Sequence, residues 1–80
     1  MKALTDYIKA NVENIFDEDG SVLFDLAEDI CKEKMVTSEQ EINNFLFSFR
    51  GNVWRQEPDV LTSKQRGRFF GALMWSLDNV

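Results

Sequence analysis

The segment Thr37-Ser38-Glu39-Gln40-Glu41-Ile42-Asn43-Asn44-Phe45-Leu46-Phe47-Ser48-Phe49 decides the fold class. It holds two overlapping capping boxes, Thr37 with Gln40 and Ser38 with Glu41, in which a hydroxyl covers a free N–H of the first turn and the acid or amide reaches back. Directly after them Ile42, Phe45, Leu46 and Phe49 recur at i, i+3, i+4 and i+7, which places apolar side chains along one side of a helix. A start signal in register with a helical period predicts a helix, and Gly51-Asn52 supplies its C-terminal stop.

Upstream, Leu4, Ile8, Val12, Ile15 and Phe16 lie at the same spacing in a stretch without Gly or Pro, which predicts an amphipathic helix over 3–16. The turn Asp17-Glu18-Asp19-Gly20 ends it, and Asp19 or Ser21 caps the next helix. That second helix has Leu23, Leu26, Ala27 and Ile30 inside and Asp25, Glu28, Asp29, Lys32 and Glu33 outside. Downstream, Pro58 biases Glu57 away from helical dihedrals, so Val53 to Leu61 reads as a connecting loop anchored by Trp54. Thr62 with Gln65 is a further capping box, opening a last helix to Asn79 whose apolar positions are Phe69, Phe70, Leu73, Met74 and Leu77. No alternating strand pattern competes and the connections are short. The expected fold class is therefore all-α, a compact bundle of three to four helices forming a single small domain over residues 1–80.

At 80 residues the core must be efficient, because a domain this small draws only ~3–5 kcal/mol of net stability from a single core. Seven Phe, two Trp and one Tyr meet that need by burying large areas at low rotamer cost. The single cysteine, Cys31, has no internal disulfide partner and falls on the inner side of its helix, so a buried thiol is expected. The chain shows neither the pattern of a signal peptide nor a spanning apolar stretch, and the expected setting is a reducing, cytoplasmic one with no membrane partner. With no His and no Gly-rich phosphate loop, chemistry would rest on carboxylates alone, and those sit on a convex outer face. A non-enzyme without a cofactor is the expectation.

Charge is sharply divided. Residues 1–49 hold eleven acids against four bases, net −7, and residues 50–80 hold three against five, net +2. Between Ala10 and Cys31 there are seven acids and no Lys or Arg. Asp17-x-Asp19-Gly20 is similar to the middle of a calcium loop. With the glycine at the sixth position, however, Ile15 and Leu26 occupy the first and twelfth, where carboxylates are required, so the turn reads as a helix cap and no metal site is expected. The ridge of Asp25, Glu28, Asp29 and Glu33, extended by Asp17, Glu18 and Asp19, is either a solvated face or a surface complementary to a basic patch on another protein. The absence of interspersed bases favours the second, since ordinary helix surfaces mix signs at i, i+4.

A second candidate surface lies in the C-terminal half. Lys64, Arg68, Gly71 and Trp75 form a stripe rotated away from the Phe69–Leu73–Leu77 side, and Phe47 and Trp54 also stand off the main apolar stripes. Gly67 and Gly71, each costing ~1 kcal/mol relative to Ala in a helix interior, imply close approach of another helix, first of all one within the bundle and otherwise a homodimer or partner contact. Bases interleaved with aromatics also suit stacking on single-stranded nucleic acid, but a sequence pI near 4.5 and the lack of any recognition motif count against a nucleic-acid partner.

In size and charge, though through no motif, the chain resembles the small inhibitors and modulators encoded by phages and mobile elements, such as antirestriction and anti-CRISPR proteins, and also bacterial immunity proteins and antitoxins. The resemblance implies action by occupying a surface on another macromolecule. The alternative is a structural or assembly subunit working as a homo-oligomer, its acidic half meeting the Arg-rich half of a neighbour.

Overall fold

The computed structural model describes residues 2–79, and among them it contains helices and connections but no strand. The helices are α1 (Lys2–Ala10), α2 (Val12–Ile15), α3 (Ser21–Lys32), α4 (Glu39–Phe47) and α5 (Ser63–Asn79), together forming one small all-helical domain. Five segments stand where three to four helices were expected, and Asn11 is the reason. Its side-chain amide donates to the Tyr7 carbonyl at 2.9 Å, while its N–H reaches only three residues back, to Ile8 at 3.2 Å. This tightens and breaks the expected 3–16 helix. Ile8 on one side of the break and Ile15 on the other are both fully buried.

Local chemistry sets each remaining boundary. Gly20 adopts a left-handed φ of 69°, the Asp17 carboxylate accepts its N–H at 2.9 Å, and the Asp19 carboxylate accepts that of Ser21 at 2.8 Å. Asp19 thus covers the start of α3 from just outside the cap, and Ser21 lies within the helix. At the far end Met35 N–H bonds the Ile30 carbonyl and Lys34 N–H that of Cys31, with Lys34 at a φ of 57°. This is a Schellman closure built on lysine rather than glycine. Of the two overlapping boxes ahead of α4, Ser38 with Glu41 is the one formed. The Ser38 hydroxyl accepts Glu41 N–H at 3.2 Å, and Glu41 reaches back to the N–H and hydroxyl of Thr37. Gln40 turns instead to Asn44. At α5 the Thr62–Gln65 box closes in both directions, at 2.9 and 3.1 Å.

The core sits between α3, α4 and α5. Ile42, Phe45, Leu46 and Phe49 are all buried as their spacing predicts, although Phe49 lies beyond α4 in a tight turn running to Arg50. Leu23, Ala27, Ile30 and Cys31 are the buried positions of α3, with Leu26 at the edge. The Cys31 thiol lies 3.7 Å from the Leu73 carbonyl, so α3 approaches the backbone of α5 closely, and burial pushes the thiol pKa up. On α5 the buried positions are Phe69, Ala72, Leu73 and Ser76, whereas Phe70, Met74 and Leu77 are half-buried. The inner side is therefore rotated toward the small residues, which admit α3.

Three expectations are corrected. Gly51 is not a left-handed helix stop: a Cβ there would run into the Glu57 carbonyl oxygen and Pro58, so glycine lets the returning loop pass. Trp54 does not anchor that loop, being 96% exposed; Leu61, fully buried, and the Val60 N–H bond to Phe49 at 2.9 Å hold it. Gly67 and Gly71 do not lie under another described helix of the bundle, since among the described residues nothing lies within 4 Å of a Cβ at either.

Two substitutions follow with opposite signs. Gly51→Ala forces apart two backbone segments and is expected to destabilise by ~1–3 kcal/mol. Lys34→Gly removes the side chain from a left-handed position and is expected to stabilise by up to ~1 kcal/mol. Thermal melts check both, with roughly 4–8 °C per kcal/mol for a domain of this size.

Candidate interaction surfaces

The outer side of α3 carries the acidic ridge. Asp25, Asp29 and Glu33 are exposed, and Glu28, partly buried, is paired with Lys32 at 2.6 Å. That bond and the attraction of Glu28 raise the Lys32 pKa. Lys32, the only base of α3, is bound by Glu28 and also attracted by Asp29, and among the described residues Asp25, Asp29 and Glu33 form no ion pair of their own. Asp29 and Glu33 also border an open groove toward α1, with Tyr7 and Met35 on its other walls. Asp17 and Asp19 do not extend the ridge freely, because each carboxylate already accepts a backbone N–H of the turn. The Ser21 N–H and hydroxyl, and then Asp17, hold the Asp19 carboxyl below its usual range. Among the described residues no three His, Cys, Asp or Glu side chains converge as metal ligands would.

The loop between α4 and α5 is a built structure. Asn52 accepts with its side-chain oxygen from Trp54 N–H at 2.9 Å and Arg55 N–H at 3.2 Å, and with its carbonyl from Glu57 N–H at 3.0 Å. Asp59 accepts the Gly51 N–H at 2.6 Å and pairs with Arg66 at 2.9 Å. The Gly51 N–H above all, with Arg66 and Arg50 adding attraction, holds the Asp59 carboxyl low. This scaffold presents Val53 and Trp54 almost wholly to solvent.

The outer side of α5 gathers Lys64, Arg68, Gly71 and Trp75, all exposed, as their spacing predicts. Two open grooves flank it. One, toward α3, is lined by Phe24, Glu28, Arg68, Gly71 and Trp75, and there the rings of Phe24 and Trp75 meet edge to face at 6.2 Å. The other, toward α4, includes Phe47, Arg50, Gly67 and Phe70, with the Arg50 guanidinium 5.6 Å from the centre of the Phe47 ring. Arg68 and Trp75 thus share a surface, whereas Phe47 belongs to the other groove and Trp54 to neither.

Phe24 is the residue that sequence reasoning missed. It follows Leu23 on the margin of the apolar stripe, and a large aromatic at that margin was the available signal. No described helix is long and apolar enough to cross a membrane. Against protein-family models, curated proteins and solved structures, the chain finds no match.

A pH dependence follows from Asp59. A carboxyl whose pKa is depressed by folding contributes stability that is present above its unfolded value, about 3.9, and is lost as pH falls through the folded value. The gap in melting temperature between wild type and Asp59→Asn is therefore expected to be constant from neutral pH down to about pH 5 and to close below about pH 4.

Proposed function

We propose that this chain is a small non-enzymatic protein-binding module that occupies a basic surface on a partner macromolecule, in the manner of an inhibitor or modulator, and that the outer side of α3 makes the contact. The observation that carries the reading is the exposed stripe Asp25–Asp29–Glu33, whose only neighbouring base on the helix is held by Glu28 at 2.6 Å. Mixed charge would serve solubility equally well, whereas a one-signed stripe builds a directed field. The proposed setting is cytoplasmic, where a lone buried thiol such as Cys31 stays reduced.

A second reading of the contact surface rests on Trp54. Tryptophan is the residue type most enriched at binding hot spots, and here it stands 96% exposed on a loop tied down by Asn52 and Asp59. A rigid loop loses little entropy when its Trp is buried by a partner.

Affinity capture from the host with mass spectrometry identifies the partner, and kinetics on the pair test the surface. Asp25→Lys with Asp29→Lys is expected to slow association markedly and to leave the melting temperature nearly unchanged, because complementary charge acts mainly on encounter. If the double reversal associates as fast as wild type, the ridge is merely solvated. Loss of binding in Trp54→Ser would then assign the contact to the loop.

A further inference from the structure

Two glycines within an exposed helix face are an unfavourable choice, and no contact among the described residues accounts for them. The residues around them are symmetric about Gly71. Lys64 stands seven positions before it and Asp78 seven after, close to two turns each way, so all three lie near one line on the exposed side of α5. Arg68 stands three before and Trp75 four after, both on the same side of that line, and Gly67 stands four before on the other side. One end of the stripe is basic and the other acidic. Read in reverse, it is complementary to itself.

We propose that the outer side of α5 is the contact surface of a symmetric homodimer, in which α5 of one copy crosses α5 of a second copy antiparallel at Gly71. A two-fold axis at that crossing sets Lys64 opposite Asp78 of the partner subunit and Arg68 opposite Trp75 of the partner subunit, and repeats both pairs on the other side. The missing side chains at Gly67 and Gly71 let the backbones approach and leave room for the facing indoles. Trp75 is 58% exposed and half-exposed Phe24 meets it edge to face, so the two rings form the apolar centre of the contact. Arg68 makes no ion pair among the described residues, and although its guanidinium rests 5.8 Å from the centre of the Phe16 ring, the residue is exposed and can meet a facing indole as well. The terminal charge pairs set direction and register more than affinity. An unrelated partner would leave the matched spacing of Lys64 and Asp78 without a purpose, whereas a second copy uses it twice.

Sedimentation equilibrium over the micromolar to millimolar range tests the proposal. Wild type is expected to dimerise. Gly71→Leu is expected to be monomeric with helicity equal or higher, because the position is open within the protomer. Lys64→Asp, which also suits the positive start of α5, is expected to weaken the dimer about tenfold by facing Asp78 of the partner subunit. Adding Asp78→Lys to the same chain is expected to restore it. A wild-type monomer at millimolar concentration, a Gly71→Leu dimer as tight as wild type, or a charge swap that fails to restore association would each overturn the proposal.

Discussion

The structure depends on one ring. Phe69 is fully buried and meets three others, Phe16 at 6.1 Å and Phe45 at 5.8 Å edge to face and Phe49 stacked at 6.5 Å. Those three come from the end of α2, from α4 and from the turn after it, so one ring of α5 gathers three separate segments of the chain. Each such pair adds roughly 0.5–1.5 kcal/mol beyond its buried area, and three together rival the whole net stability of a domain this small. Phe69 also fixes the rotation of α5. With its ring inward, Arg68 must lie toward the surface, where the guanidinium rests 5.8 Å from the centre of the Phe16 ring. The exposed line of Lys64, Gly71 and Trp75 follows from the same rotation.

Close approach of α3 to α5 is the second constraint. It needs small groups on the inner side, and Ala27, Cys31, Ala72 and Ser76 supply them on the two helices. Among the described residues the buried Ser76 hydroxyl has no hydrogen-bond partner. By filling the interior with small groups, the contact leaves Phe24 and Trp75 at its outer margin, where they widen the apolar surface beside Gly71. Packing inside the protomer and the proposed binding surfaces outside it are thus two sides of the same helices. The tip bearing Trp54 is separate in origin, since hydrogen bonds to Asn52 and Asp59 shape it, while Leu61 anchors the far end of the loop in the core.

Much of this was legible in the residues. Capping chemistry is local, so Ser38 with Glu41 and Thr62 with Gln65 marked the starts of α4 and α5, and the inward stripe of α4 followed from spacing. What failed to show was what depends on distant segments. Trp54 looked like an anchor because a large aromatic in a loop usually is one, yet the anchor is Leu61. Gly51 looked like a helix stop, but the reason for it is Glu57 and Pro58 folding back from later in the chain. The break at Asn11 was hidden because Asn competes with the ladder only where its side chain finds a carbonyl. The acidic ridge and the α5 stripe were readable as surfaces, since helical spacing alone separates inside from outside. The pairing of Lys32 with Glu28, rather than with the other acids of the ridge, needed side-chain positions.

The dependence on Phe69 is measured most directly by denaturant unfolding of Phe69→Ala beside wild type. Removing a fully buried phenylalanine costs about 3–5 kcal/mol, as much as the net stability a core of this size supplies. The expected result is a chain without cooperative unfolding at room temperature, its near-ultraviolet dichroism lost. A variant that still unfolds cooperatively, with a midpoint close to that of wild type, would contradict the claim that this ring holds α2, α4 and α5 together.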